Sequence, residues 1–298
     1  MLWVVATLLA ATAQVFRNSL QARLSEKVGT LGGTQVRFVY GVPFAVLFLL
    51  LLLVATGAGL PEIPIEALGW ATLGAVSQIA ATFLMLVTMR RAGFGLAYIY
   101  IKTEPVTVGL LGLALIGDRL PALGWVAVVI VTLGVIIASI RPGDAGRLIS
   151  ERASIFAGIG GGALFGLSAI AFRGAIQAIP EADYFLRAIT ILAVSLSIQS
   201  AILLVWFAFR NREAFFGPLR EWRLSVTAGF LGALASAGWF VGFSLTAAAN
   251  VRTLALIEMP LVALVSRWMH GTWARPTEWA GYVLITLGVG LLLFAEAA

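Results

Sequence analysis

The chain has 298 residues, of which 60% are hydrophobic and only 11% charged, and its mean hydropathy is +0.99. A soluble domain carries about 25% charged residues to keep its surface in water, so this composition excludes one and points to a surface that faces lipid. The formal charge of +6 fits topogenic Lys and Arg rather than nucleic-acid binding; the absence of cysteine excludes disulfide and thiol chemistry, and a lone His270 leaves no histidine-rich metal site.

A membrane-spanning helix needs about 20 mostly apolar residues to cross about 30 Å of hydrocarbon. In chain order, such runs fall at 2–22, 31–56, 68–89, 94–117 and 122–140, and then at 155–177, 184–209, 224–246, 249–268 and 277–295. The predicted fold class is therefore an all-α integral membrane protein with ten transmembrane helices. The first run contains Ala11-Thr12-Ala13, which resembles a cleavage site, but it opens on Met1-Leu2-Trp3 without the basic start of a secretory signal, and it reads as a retained helix. The run 94–117 is interrupted by Lys102 and Glu104, and the short connections leave no room for an inserted soluble domain.

Thirteen of the 20 Lys and Arg residues lie in or beside the odd-numbered connections: Arg23 and Lys27; Arg90 and Arg91; Arg141, Arg147 and Arg152; Arg210, Arg212, Arg220 and Arg223; Arg267 and Arg275. The connection at 57–67 has none, and that at 117–121 has only Arg119. Positive charge resists export, so the odd connections are expected in the cytoplasm and both termini outside. In a bacterial-type inner membrane both termini are periplasmic.

The two halves of the chain resemble each other. Phe16-Arg17 with Gln21-Ala22 returns as Phe172-Arg173 with Gln177-Ala178, Arg37 has a counterpart in Arg187, and Pro105 in Pro260. Trp125 followed by Thr132-Leu133-Gly134-Val135 matches Trp279 followed by Thr286-Leu287-Gly288-Val289. The expected division is a five-helix repeat over 1–150 and a second over 151–298. Five is odd, so the second repeat enters the membrane from the opposite side, and inverted repeats of this kind hold a substrate site near the midplane.

Ten spans in a five-plus-five repeat, an arginine early in the second span and prolines in the fourth and ninth resemble the EamA-like branch of the drug/metabolite transporter superfamily. Within it, Ala237-Gly238-Trp239 and Val76-Ser77-Gln78 are most similar to the aromatic amino-acid exporters. The chain departs from that pattern at Gly117-Asp118 and Thr272-Trp273, where the family often has Gly-Glu, and at Glu104, where the exporters have an aromatic residue. The resemblance implies export of small metabolites, amino acids first among them, with carriage of other metabolites or drug-like cations, or a channel, as alternatives.

Ionisable groups at membrane depth usually face a cavity or a partner. Glu104 and Glu258 read either as a carboxylate pair binding a substrate amine or a proton, or as buried carboxylates held by Lys102 or Arg252. Lys102 either receives a substrate carboxylate or pairs with a glutamate. Pro105 and Pro260 each remove a helical hydrogen bond and would free the carbonyls of Ile101 and Leu256, making either a hinge or a static kink. Gln14 and Asn18, like Gln78 and Thr82, lie four apart on one face and serve either a polar substrate or helix–helix bonding. Ser168 is a weaker candidate of the same type. Tyr98, Phe165, Trp239 and Phe240 are the candidate lining of an aromatic pocket, Trp239 standing out by its mid-helix position. The glycine-rich stretch 158–162 reads as close helix packing, and no Walker motif is present, so neither ATP drive nor any cofactor is expected. The expected partners are a small-molecule substrate, lipid and, through the carboxylates, protons; the expected state is a monomeric, non-enzymatic carrier.

Overall fold

In a computed structural model, the structure describes residues 1–92, 101, 104–140, 152–180, 182–260, 263 and 275–297. Among these, all the regular structure is helical. The helices are α1 (Leu2–Val39), α2 (Val42–Thr56), α3 (Ile65–Ala92), α4 (Glu104–Ile116), α5 (Ala122–Ser139), α6 (Arg152–Gln177), α7 (Tyr184–Arg210), α8 (Arg212–Arg220), α9 (Trp222–Leu245), α10 (Ala248–Ala255) and α11 (Pro276–Ala297).

Seven stretches of the described residues are long and apolar enough to cross a bilayer: Leu31–Thr56, Ile65–Met85, Ala122–Ser139, Ala153–Gln177, Tyr184–Arg210, Trp222–Leu245 and Pro276–Ala297. Leu2–Arg17 and Glu104–Ile116 are shorter apolar helices. Large apolar side chains stand exposed along these helices, among them Leu51, Val54, Val205, Phe209, Val283, Leu287 and Phe294. A soluble monomer does not present so continuous an apolar exterior. The chain is a multi-pass α-helical membrane protein.

α1 is two arms joined at Gly29, whose φ of 75° and ψ of 161° break the helix. Such a φ suits only a residue without a Cβ. The arms close so tightly that a Cβ on Gly33 would run into Ser25 Oγ. Gln21 Nε2 donates to Gly33 O at 3.0 Å and Ser25 Oγ to Gln21 O at 2.8 Å, which pins the corner. The expected spans at 2–22 and 31–56 are the two sides of this corner. The second is itself interrupted at Tyr40-Gly41, where α2 starts with Pro43 in its first turn.

The chain divides into two units, Met1–Val76 with Ala171–Leu245 and Ser77–Ile170 with Thr246–Ala298. Each draws on both halves of the sequence, and the chain passes from one to the other within α3, within α6 and at Leu245/Thr246.

In the first unit α7 is the central helix, far more of its apolar length being buried than of Leu31–Thr56. α7 packs on α1, α2 and α9, and α1 runs along α9. Glycines permit this approach: a Cβ on Gly238 would lie 2.7 Å from Ala6 O, and one on Gly229 2.6 Å from Tyr40 O. The sequence 212–220, read as part of a basic connection, forms the short helix α8 against α1.

The second unit is built on the crossing of α5 with α11. A Cβ on Gly134 would meet Ile285, one on Gly288 would meet Val131, and one on Gly281 would meet Ala138. Contacts that advance along one helix retreat along the other, so α5 and α11 are antiparallel. In the same unit Gly161 lies against α3, a Cβ there meeting Leu84 at 3.5 Å and the Ala81 carbonyl at 3.6 Å. The glycine-rich stretch is a packing surface.

Candidate functional site

Glu104 is the first residue of α4 and is buried together with Pro105. Arg252 lies in the last turn of α10, which packs on α4. Arg252 Nε stands 3.1 Å from Glu104 Oε1, with both side chains largely enclosed. Of the two cations that the sequence offers to the buried glutamates, the structure brings Arg252 to Glu104; Lys102 lies outside the described residues, as does Tyr98.

Beyond Arg252 the helix changes character. Leu256 N–H donates to Thr253 O at 3.2 Å, Ile257 N–H to Leu254 O at 3.0 Å and Met259 N–H to Leu256 O at 3.1 Å, a run of tighter three-residue turns. Helical geometry resumes at Glu258–Pro260. The sequence-based expectation that Pro260 leaves the Leu256 carbonyl without a partner is therefore corrected: the tightened turn lets Met259 N–H take it. Glu258 is half-buried at this break and Pro260 is buried.

A second polar group on α10 was not anticipated. Asn250, 1% exposed, donates through Nδ2 to Thr246 Oγ1 at 3.0 Å and to Glu296 Oε1 on α11, and Thr246 Oγ1 donates to Glu296 Oε2 at 3.2 Å. The signal available in the sequence was an amide inside an apolar run, facing a carboxylate that ends the last one. α10 is thus fixed at its start to α11 by a neutral amide and at its end to α4 by an ion pair.

The remaining predicted residues divide between the units. In the second unit, Thr82 Oγ1 donates to the Gln78 carbonyl at 2.7 Å and Ser168 Oγ to the Phe165 carbonyl at 2.8 Å, so both hydroxyls are engaged with their own helices. Gln78 is half-buried there. In the first unit, Gln14 is half-buried on α1 and Trp239 is buried on α9. Asn18 lies on α1; its side chain is outside the described set. Phe240 stacks on Phe172 with ring centroids 4.8 Å apart, and Phe243 lies 6.3 Å from Phe240. This aromatic group is a packed core within its unit.

The arginines of the internal match have separate partners. Arg17 is buried on α1, with its Cδ 3.5 Å from where a Cβ on Gly232 would sit. Arg173 Nη1 donates to the Phe243 carbonyl, near the end of α9. The guanidinium of Arg37 lies over the Phe38 ring at 4.8 Å, and Arg187 Nε donates to the Ala182 carbonyl at 2.6 Å. The Phe243 carbonyl, in the last turn of α9, lies at the partially negative end of its helix, which suits Arg173. Among the described residues no cluster of His, Cys, Asp and Glu has the makings of a metal site.

No family model matches the chain, and no curated protein does. Solved structures do match, 28 chains in all. One crystal structure superposes with a TM-score of 0.70 at 16% identity, over 97% of this chain and 98% of that chain. At that identity the likeness is one of fold, and it extends over nearly the full length of both chains.

Proposed function

We propose that the chain is a secondary transporter of the EamA-like branch of the drug/metabolite transporter superfamily. On this reading it has ten spans in two inverted five-helix repeats and moves small metabolites, amino acids first, across a bacterial-type inner membrane by alternating access. The observation that carries the reading is the α5–α11 crossing. The segments that match in sequence, Thr132–Val135 and Thr286–Val289, lie on two helices that run antiparallel. Exchanging each residue for its sequence counterpart turns the Gly134–Ile285 contact into the Gly288–Val131 contact, and both are present. A two-fold axis between opposed repeats predicts such self-complementary contacts.

Alternating access needs elements that bend, and α10 supplies a candidate. Its tightened turns at Leu256–Ile257 lie between the Arg252–Glu104 pair and Pro260, and Glu258 sits at the break. In this account Glu258 takes a proton or a substrate amine there. Glu104 contributes through Arg252, whose charge it neutralises. The test is uptake of a panel of labelled amino acids into proteoliposomes holding the purified chain. Saturable uptake of at least one member supports the reading; no uptake of any member above empty vesicles removes amino acids as the substrate class.

A further inference from the structure

α8 cannot lie in the hydrocarbon. It joins a span that ends at Arg210 to one that begins at Trp222, so it sits at the membrane–water boundary. Its inner face is fixed to the first unit: a Cβ on Gly217 would lie 3.1 Å from Val28 Cβ, Gln35 Nε2 donates to Phe215 O at 3.3 Å, and Ser225 Oγ donates to Pro218 O at 2.9 Å. Gly217 and Pro218 are accordingly buried.

The outer face is unlike the inner one. Phe216, Leu219 and Trp222 are each about half exposed (49%, 55% and 57%); Arg220 and Arg223, their chain neighbours, are exposed as well, and so is Arg210 at the end of α7. The Arg223 guanidinium lies over the Trp222 ring at 5.5 Å. Glu221, which would offset these cations, is engaged by Lys27 Nζ at 2.8 Å. Exposed aromatics at the boundary settle at headgroup depth, and guanidinium groups pair with phosphate oxygens in two-pronged fashion.

We propose that α8 and its flanks form a docking surface for the headgroups of anionic phospholipids. The fit is one of charge. A phosphatidylglycerol headgroup has a phosphate and no cation, so it gains from Arg210, Arg220 and Arg223, whereas phosphatidylcholine carries its own ammonium. The apolar residues of the same face hold the acyl chains beside the headgroup. The proposal requires only that the chain spans a membrane; it does not depend on what the chain transports.

The test is native mass spectrometry of the full chain, purified in detergent and titrated with phosphatidylglycerol or phosphatidylcholine. The intact protein retains phosphatidylglycerol preferentially. The variant Arg220→Gln with Arg223→Gln loses that preference by on the order of 30-fold, as expected for two basic residues at an anionic surface. A control with Arg90→Gln and Arg91→Gln, in a different basic connection, keeps it. Circular dichroism and a single gel-filtration peak establish that each variant is folded. Equal retention of the two lipids by the intact chain, or an undiminished preference in the Arg220/Arg223 variant, overturns the proposal.

Discussion

Arg252 Nε lies 3.1 Å from Glu104 Oε1, tying the last turn of α10 to the first turn of α4 where their side chains are only 15% and 11% exposed. Two charges so enclosed cost much of their mutual attraction in lost hydration, but removing one takes from the other the opposite charge 3.1 Å away. Arg252→Met is therefore expected to destabilise the protein by on the order of 3 kcal/mol, and Glu104→Leu by a similar amount. The double variant recovers most of the loss. Thermal unfolding in detergent measures all three; strictly additive losses would mean that the two side chains are not coupled.

The α5–α11 crossing depends on glycine. A Cβ on Gly281 would meet the Gly134 carbonyl and lie 2.5 Å from Ala138 N, both backbone atoms that cannot turn aside. Gly281→Ala is expected to cost roughly 1–3 kcal/mol through overpacking. Gly290, on the same helix, has nothing within 4 Å of an added Cβ, and Gly290→Ala is expected to leave stability unchanged or slightly improved. Equal melting temperatures for the two variants would contradict the close contact.

If Glu258 takes a proton or a substrate amine, Glu258→Gln keeps the shape and removes the charge. Transport should fall by about tenfold or more, since a hydrogen bond to a charged group contributes about 1.5–3 kcal/mol, and its pH dependence should flatten. Expression and melting temperature should change little, because Glu258 is only half-buried. An unchanged rate and pH profile would exclude Glu258 from the mechanism.

On the proposed ten-span reading, the excess of basic residues in the odd connections predicts that both termini are periplasmic. Reporter fusions at the C-terminus of the full chain should be active with a periplasmic reporter and silent with a cytoplasmic one. The opposite pattern would reverse the proposed topology.

Much of the helix layout was legible in the sequence because bilayer thickness fixes how long an apolar run must be. The runs 31–56, 122–140 and 184–209 correspond to Leu31–Thr56, Ala122–Ser139 and Tyr184–Arg210. Hydropathy does not register backbone breaks inside such runs. The corner at Gly29 falls in the connection expected between the runs 2–22 and 31–56, but the interruption at Tyr40-Gly41 falls inside the run 31–56 and leaves no mark in its hydropathy. The run 249–268 likewise concealed the tightened turns at Leu256–Ile257. α8 was missed because its arginines identify a connection without saying that Phe215, Phe216 and Leu219 make it helical.

The site was less legible than the fold. Arg252 and Glu104 are 148 positions apart, and in the sequence Lys102 stood nearer as a partner; only the packing of α10 on α4 brings the arginine to the carboxylate. Thr82 and Ser168 have the right chemistry for a ligand, yet each hydroxyl donates to its own helix. Spacing along the chain cannot distinguish that local bond from an outward-facing one. Asn250 and Glu296, 46 positions apart in the second half of the chain, likewise meet only because α10 packs on α11.

The account's central claim is that the chain is a carrier with a site exposed to one side at a time, and counterflow tests this most directly. Proteoliposomes are loaded with an unlabelled substrate from the amino-acid panel and diluted into a trace of the same substrate carrying label. A carrier exchanges one for the other, so label accumulates transiently above its equilibrium level and faster than in unloaded vesicles. Label that enters at the same rate with or without internal substrate, in linear proportion to its concentration, would contradict alternating access and indicate an open pore.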